Sequence, residues 1–273
     1  MSNSGSIFDD SEPLNVFVYT LWSISLVCAI YMTIAFNRKI MKIFSISIAL
    51  MSLNVLLSTI WGNDLSKAPR QFCIAQGLML QFTAYMTSMA ALYFTWESYR
   101  LIVLKIKKSS TFIKSVYSLM IAYPIIMTSI LALISSEFNS INVHTLCCDI
   151  TNPSWVRLFG YAGVNVLIAI PGAYWSGRVA WIVFNHSDKT LRTFSTLAVS
   201  QERDPSTVLI NIKNAVNPTV ISLIASINTW IDIFLNVPLQ IGVSGNDVAG
   251  SIIGIVVFII FGTAGENIQK RSK

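Results

Sequence analysis

The chain alternates between long apolar stretches and short polar segments. Seven stretches of about 20 residues are almost free of charged side chains, which is the length a helix needs to cross a bilayer. They are apolar all round, whereas the strands of a membrane barrel alternate apolar and polar positions. The predicted spans are 14–36, 43–61, 72–96, 116–134, 155–184, 219–241 and 248–265. We therefore predict an all-α fold, with one domain of seven transmembrane helices over 14–265.

Composition supports a membrane protein. Apolar residues make up 53% of the chain and charged residues 12%, and the mean hydropathy is +0.62. Average proteins carry about twice that share of charge, so these figures disfavour a disordered chain, a coiled coil and a soluble enzyme. The net charge of +6 is compatible with nucleic acid as a partner, but the positions of the charges indicate a membrane surface instead.

The positions of the basic residues predict the orientation. Sixteen of the 19 lysines and arginines lie in one set of connecting segments and three in the other. The first set is 37–42, 97–115, 178–218 and 266–273, and the second is 1–13, 62–71, 135–157 and 242–247. Since basic loops stay in the cytoplasm, we expect a short extracellular N-terminus (1–13), a short cytoplasmic tail (266–273) and a location in the plasma membrane. Trp22, Trp61 and Trp155 then fall near the outer membrane level, where tryptophans form an aromatic belt.

Three cysteines fall on the predicted outer side, where a disulfide persists. Cys73 opens the third span, and Cys147 and Cys148 lie in the loop between the fourth and fifth spans. The 13 residues from Ile134 to Cys147 reach up to about 43 Å when extended, so the loop can fold back to Cys73. Either cysteine of the pair is a candidate partner, and three free thiols are the alternative.

These features resemble the G-protein-coupled receptors, and within them the fungal seven-helix receptors of the cAMP-receptor-like and orphan type. The motifs that carry the resemblance are 73–77 (CIAQG), 81–82 (QF), 148–155 (CDITNPSW) and Pro171 in the fifth span. The resemblance implies a receptor that binds an extracellular ligand and passes the signal to a heterotrimeric G-protein. Two features depart from it: Glu97 and Arg100 are spaced differently from the family's acidic-Arg-aromatic triplet, and 248–265 lacks an Asn-Pro motif.

A polar stripe in the sixth span is the strongest ligand-site candidate. Asn228, Asp232 and Asn236 recur every four residues and so share one helical face. A carboxylate at this depth costs about 2.5–3.5 kcal/mol on insertion scales, so it is expected to face protein or water. A network of hydrogen bonds between helices is the alternative. The candidate ligand-binding residues are Gln76, Thr83, Asn228, Trp230, Asp232 and Asn236.

The predicted inner surface is the second candidate site. We expect Glu97 and Arg100 to form a polar lock between the third and sixth spans, whose opening would admit a G-protein. The candidate coupling residues are Glu97, Arg100, Lys105, Arg178 and Lys213. Simple attraction of these cations to anionic lipid is the alternative.

Other functions fit the sequence less well. A retinal protein needs a lysine in the last span, and 248–265 has none. An enzyme needs paired catalytic groups, but His144 and His186 lie in loops on opposite predicted sides. We therefore expect no enzymatic activity, cofactor or metal ion. A small-solute or ion transporter is the main alternative, although the chain shows no internal repeat of the kind many carriers have.

Overall fold

A computed structural model of the protein describes most of the first 185 residues. The described residues are 12–36, 39–61, 65–104, 106, 110–143, 146–150, 153–185, 251, 252, 255 and 258. Within them the chain forms five α-helices, which are α1 (Glu12–Ala35), α2 (Lys39–Leu56), α3 (Arg70–Tyr99), α4 (Ser110–Phe138) and α5 (Tyr161–Asn185). Short 3-10 helices follow α2 (Leu57–Trp61), precede α3 (Leu65–Lys67) and precede α5 (Ser154–Phe159), and a π-helical turn (Arg100–Leu104) follows α3.

Three segments are long and apolar enough to cross a membrane. They are Asn15–Ala35, Lys39–Trp61 and Lys114–Phe138, at the positions predicted for the first, second and fourth spans. The 30-residue α3 and the 25-residue α5 overlie the third and fifth predicted spans. The sixth predicted span, and all but four residues of the seventh, lie outside the described residues. The protein is thus a mostly helical membrane protein, and seven spans with the stated orientation stay a prediction.

The exposed surface of these helices is apolar. Ile34 on α1, Leu133 on α4 and Leu167 on α5 are 77%, 70% and 73% exposed. Water-soluble monomers rarely expose large contiguous apolar patches, whereas lipid is a good solvent for them. This surface therefore supports placing the helices in a bilayer.

Hydroxyl side chains along the helices bond to their own backbone. The Thr20, Thr33, Ser45, Ser47, Thr87, Thr95 and Ser98 hydroxyls each donate to the carbonyl four residues earlier, at 2.8–2.9 Å. Such bonds satisfy a hydroxyl without water, which lipid-embedded segments require.

Helix α3 lies at the centre of the described bundle, packed against α2, α4 and α5, while α1 packs on α2. The tightest packing includes Phe44 and Ile48 of α2 and Ala90 of α3, which are at most 1% exposed. Trp22 also lies in the core at 4% exposed, so the predicted aromatic belt is wrong for this residue. Trp155 is 41% exposed.

A β-hairpin covers one end of α3. Strands β1 (Ile141–Val143) and β2 (Cys148–Ile150) pair antiparallel, with Ile141 opposite Ile150, and both contact α3. The sequence did not predict this hairpin, because strands of three residues are too short to show an alternating pattern. We call this the hairpin end of the bundle. The opposite end, where α3 finishes, is called the Arg100 end.

Candidate functional site

A disulfide fixes the hairpin to α3. It joins Cys73, in the first turn of α3, to Cys148, the first residue of β2, with Cα atoms 5.2 Å apart. This confirms the predicted bond and decides between the two candidate partners. The bond closes 75 residues of sequence, so it removes much conformational freedom from the unfolded chain.

Cys147 lies in the bend just before β2 and takes no part in the disulfide. Cys148 packs with Cys73, Leu131 and Ile150, whereas Cys147 is buried on the other side against α1 and α2. Cys147 is not part of a disulfide and is 5% exposed.

Gln76 connects α2, α3 and the hairpin. Its side-chain nitrogen donates to the Asn54 carbonyl and the Ser58 hydroxyl, both at 2.8 Å, and its side-chain oxygen accepts from the Cys148 N–H at 3.0 Å. The Asn54 amide in turn donates to the Gln76 carbonyl at 2.9 Å. Gln76 is 2% exposed, and all its polar side-chain atoms are bonded within the protein. The ligand-binding role predicted for Gln76 stays a prediction, and the geometry favours the structural alternative.

Gly77 allows the hairpin to lie directly on α3. A Cβ atom at this position would be 2.8 Å from the Ile141 side chain and 3.3 Å from the Cys148 carbonyl. The first distance is shorter than any ordinary contact, so a larger residue would lift the hairpin. Gln76 therefore forms a hydrogen bond with the hairpin, and the adjacent Gly77 leaves the space that lets the hairpin pack directly on α3.

A second glutamine of α3 bonds to a carboxylate of the hairpin. The Gln81 amide donates to the Asp149 carboxylate at 2.9 Å, and the same carboxylate oxygen accepts from the Ile150 N–H at 2.7 Å. Gln81 is 2% exposed. Asp149 is thus a partly buried carboxylate directed at the central helix.

Further polar contacts descend α3 towards α5. The Tyr85 hydroxyl donates to the Phe159 carbonyl, and the Asn165 amide of α5 donates to the Ser88 hydroxyl at 2.8 Å. The Tyr85 ring meets the Tyr123 ring of α4 edge to face, with centroids 5.9 Å apart. The Tyr123 hydroxyl and the Asn165 side-chain oxygen are buried without a hydrogen-bond partner among the residues described. Both atoms lie in the interior of the bundle beside Tyr85 and Ser88, about 18–22 Å along α3 from Cys73.

Among the described residues, the Thr83 hydroxyl forms hydrogen bonds only within α3. Its hydroxyl bonds to the Met79 and Leu80 carbonyls at 2.9 and 3.0 Å, and the residue is 0% exposed. The predicted role of Thr83 in ligand binding stays a prediction, because its hydroxyl bonds to neither the Tyr123 hydroxyl nor the Asn165 side-chain oxygen.

At the Arg100 end, polar side chains form hydrogen bonds within the last turns of α3 and with the segment that follows it. The Tyr93 hydroxyl bonds to the Glu97 carboxylate one turn later, and the Arg100 guanidinium donates to the Ile106 carbonyl. Arg100 is 5% exposed and begins the π-helical turn, a feature often found at functional positions. Arg100 therefore holds the segment that follows α3, and the predicted lock to the sixth span concerns residues outside the described part.

Aromatic side chains join α3 to α5 near this end. The Trp96 and Trp175 rings have centroids 4.8 Å apart, and Tyr99 lies 6.2 Å from Trp175 and 6.4 Å from Tyr174. Edge or offset contacts of this kind add to the energy of apolar burial. Arg178 lies one turn beyond this group, on the exposed side of α5.

Six predicted site residues lie outside the described residues, so their roles stay predictions. They are Lys105, Lys213, Asn228, Trp230, Asp232 and Asn236.

The sequence analysis did not select Asp149, Gln81 or Tyr85 as site residues. A signal existed for Asp149, since it follows the cysteine that the predicted disulfide carries over α3. Tyr85 gave no such signal, because a tyrosine on an apolar helix is usually a packing residue.

Comparison with known proteins adds no assignment, since no family model matches the chain and no curated protein matches it significantly.

Proposed function

We propose that the protein is a receptor of the G-protein-coupled type in the plasma membrane. An extracellular ligand binds at the hairpin end, and a heterotrimeric G-protein binds at the Arg100 end. The ligand acts by binding one arrangement of the helices more tightly than the other, because only differential affinity shifts such an equilibrium.

The observation that carries this proposal is that α3 bonds to the hairpin near its start and to the segment after it at its end. Near its start, Cys73, Gln76 and Gln81 bond to the hairpin, and at its finish Arg100 bonds to the following segment. The 27 residues from Cys73 to Arg100 rise about 40 Å, which matches the full thickness of a bilayer with its headgroups. A ligand that moves the hairpin therefore acts on the same rigid helix that shapes the opposite surface.

Two buried polar atoms without a hydrogen-bond partner among the described residues support a ligand site in the interior of the bundle. The Tyr123 hydroxyl can donate or accept a hydrogen bond and the Asn165 oxygen can accept one. Leaving a buried polar group unbonded costs about 1–3 kcal/mol, so a polar ligand gains affinity by satisfying these atoms. The predicted stripe of Asn228, Asp232 and Asn236 is the proposed opposite wall of this site.

The experiment is nucleotide exchange on purified Gα subunits with Gβγ, in nanodiscs that hold the full chain. We expect basal exchange above that of empty nanodiscs for at least one Gα class. The Arg100→Gln variant should change this basal rate, because it frees the segment after α3, whereas Lys114→Gln on α4 serves as a charge-matched control. Exchange and co-purification at background levels for every Gα class would contradict the proposal. Uptake of a radiolabelled sugar, amino acid or ion into vesicles would then favour a transporter.

A further inference from the structure

Three side chains with polar tips share one exposed face of α5. Tyr174 and Trp181 are 59% and 65% exposed, and Arg178 between them is also exposed. Their spacing of four and three residues places them on one side of the helix. Gly177 lies beside them, and a Cβ atom there would meet nothing within 4 Å. We call these four residues the Arg178 face.

The Arg178 face continues an exposed apolar stripe of α5. Leu167 and Ile170, seven and four residues before Tyr174, are 73% and 56% exposed on the same side of α5. From Leu167 to Arg178 the helix rises about 16 Å, which is half the thickness of the hydrocarbon core. The change from aliphatic to aromatic and cationic side chains therefore marks the level at which hydrocarbon gives way to headgroups.

The Arg178 guanidinium is available to a partner. Within the described part of the chain it forms neither a hydrogen bond nor an ion pair. Arg100, by contrast, is buried and bonded to a carbonyl. A guanidinium presents a planar fork of N–H donors that fits two phosphate oxygens at once. The Tyr174 O–H and the Trp181 N–H are further donors on the same face, with Cα positions about 6 Å before and about 5 Å after Arg178 along the helix axis.

We propose that the Arg178 face binds the phosphate headgroup of an anionic phospholipid at the Arg100 end of the bundle. Arg178 forms a paired hydrogen bond with the phosphate, Trp181 and Tyr174 donate to the headgroup from either side, and Leu167 and Ile170 contact the acyl chain. A lipid fits better than a soluble partner, because the face is continuous with the apolar stripe above it. This assigns Arg178 to lipid rather than to the predicted G-protein surface, and it needs only a membrane, not the receptor function.

The test is lipid titration of the purified full chain in a mild detergent, followed by native mass spectrometry. The probes are phosphatidylserine and phosphatidylcholine of identical acyl chains. We expect the wild type to prefer phosphatidylserine, and Arg178→Gln to lose about fivefold of that preference, the factor typical of one cation at an anionic membrane. Trp181→Leu should lose less, because it keeps the apolar contact.

Lys114→Gln is the matched control. Lys114 is an exposed cation at the same end, and its exposed neighbours on α4 include Ser118 and Ile121, while the aromatic residue nearest to it on this face, Tyr117, is partly buried and packs against Tyr93 of α3. We expect this variant to keep the wild-type preference. Equal losses in Arg178→Gln and Lys114→Gln would show general attraction to a basic surface and overturn the proposal. So would an unchanged preference in Arg178→Gln whose thermal unfolding midpoint matches the wild type.

A second experiment tests whether the Arg178 face binds a lipid headgroup or a soluble phosphate ion. Inorganic phosphate is titrated against the complex with phosphatidylserine, and we expect millimolar phosphate to leave the lipid bound. Displacement at that concentration would mean that the face is a site for soluble phosphate, which overturns the lipid assignment. If Arg178→Gln is too unstable to purify, Arg178→Lys replaces it. That variant keeps the charge but loses the fork, so it should retain only part of the preference, and full retention would contradict the paired bond.

Discussion

The two ends of α3 are held in different ways. At the hairpin end, a disulfide and the side chains of Gln76 and Gln81 attach a folded hairpin to the helix. At the Arg100 end, the helix continues into a π-helical turn, and the Arg100 side chain bonds to one carbonyl six residues later. One end is cross-linked across 75 residues of sequence, whereas the other is held by the local Arg100 contact and by aromatic packing of Trp96 and Tyr99 against Trp175 of α5.

This difference indicates which end of the helix can rearrange. A covalent bond and fully buried amide contacts leave the hairpin and α3 to move as one body. The Arg100 contact spans six residues and consists of two hydrogen bonds with Ile106, one from the guanidinium to the Ile106 carbonyl and one from the Ile106 N–H to the Arg100 carbonyl, so breaking it costs less than breaking the disulfide and the buried amide contacts. A signal that begins at the hairpin would therefore produce its change in shape at the Arg100 end.

Loss of the disulfide should have the largest effect. Cys73→Ser should lower the free energy of unfolding by about 2–5 kcal/mol, because the unfolded chain regains its freedom. Cys147→Ala is the matched control and should cost less than about 1 kcal/mol, since it removes a buried thiol but no cross-link. Thermal unfolding of the two purified variants measures the difference. Equal midpoints would mean that the bond is not between Cys73 and Cys148.

Removal of the Gln76 side-chain amide comes next. Gln76→Leu leaves the Cys148 N–H and the Asn54 carbonyl without this partner in a buried site, so we expect a loss of about 2–4 kcal/mol. Gln71→Leu, an exposed position one turn earlier on α3, should change stability by less than about 0.5 kcal/mol. The unfolding midpoints of both variants decide this, and similar values for the two would remove Gln76 from the structural role assigned to it.

Gly77 and Gly177 differ in the space available for a Cβ atom. Gly77→Ala should destabilise the protein by about 1–3 kcal/mol, because its Cβ would lie 2.8 Å from the Ile141 side chain. Gly177→Ala on α5 meets nothing within 4 Å and should be neutral or stabilise by up to about 1 kcal/mol. Opposite signs are expected in thermal unfolding. Destabilisation by Gly177→Ala alone would contradict the seating of the hairpin on α3.

The smallest effect on stability is expected at the Arg100 end. Arg100→Gln should lower the free energy of unfolding by about 1.5 kcal/mol, the lower limit for one hydrogen bond to a charged group. Amide hydrogen exchange should nevertheless rise over 100–106 and stay unchanged over 141–143 and 148–150. Faster exchange in the hairpin of this variant would show that the two ends are not held independently.

The apolar pattern predicts where the helices lie but not which side of each faces the core. The start of α1 lies within two residues of the start of its predicted span, and the end of α4 lies within four residues of the end of its span. These ends were predictable because the length of an uncharged apolar stretch can be counted directly in the sequence. Trp22 was misplaced because lipid is as apolar as a protein core, so a membrane helix lacks the amphipathic pattern that reveals its buried face. The same limit hid the partners of Gln76, which lie 18 to 72 residues away in sequence. The disulfide was predictable because the compartment and the chain length constrain it, whereas the choice of Cys148 depended on how the hairpin packs, with Cys148 against Cys73 and Cys147 against α1 and α2.

The orientation of the chain is the premise of the receptor proposal, and it is tested by epitope tags at the two termini in intact cells. We expect antibody to reach a tag at the N-terminus without permeabilisation, and a tag at the C-terminus only after it. Access to both tags from the same side would contradict an odd number of spans, and with it the assignment of the hairpin end to the outside.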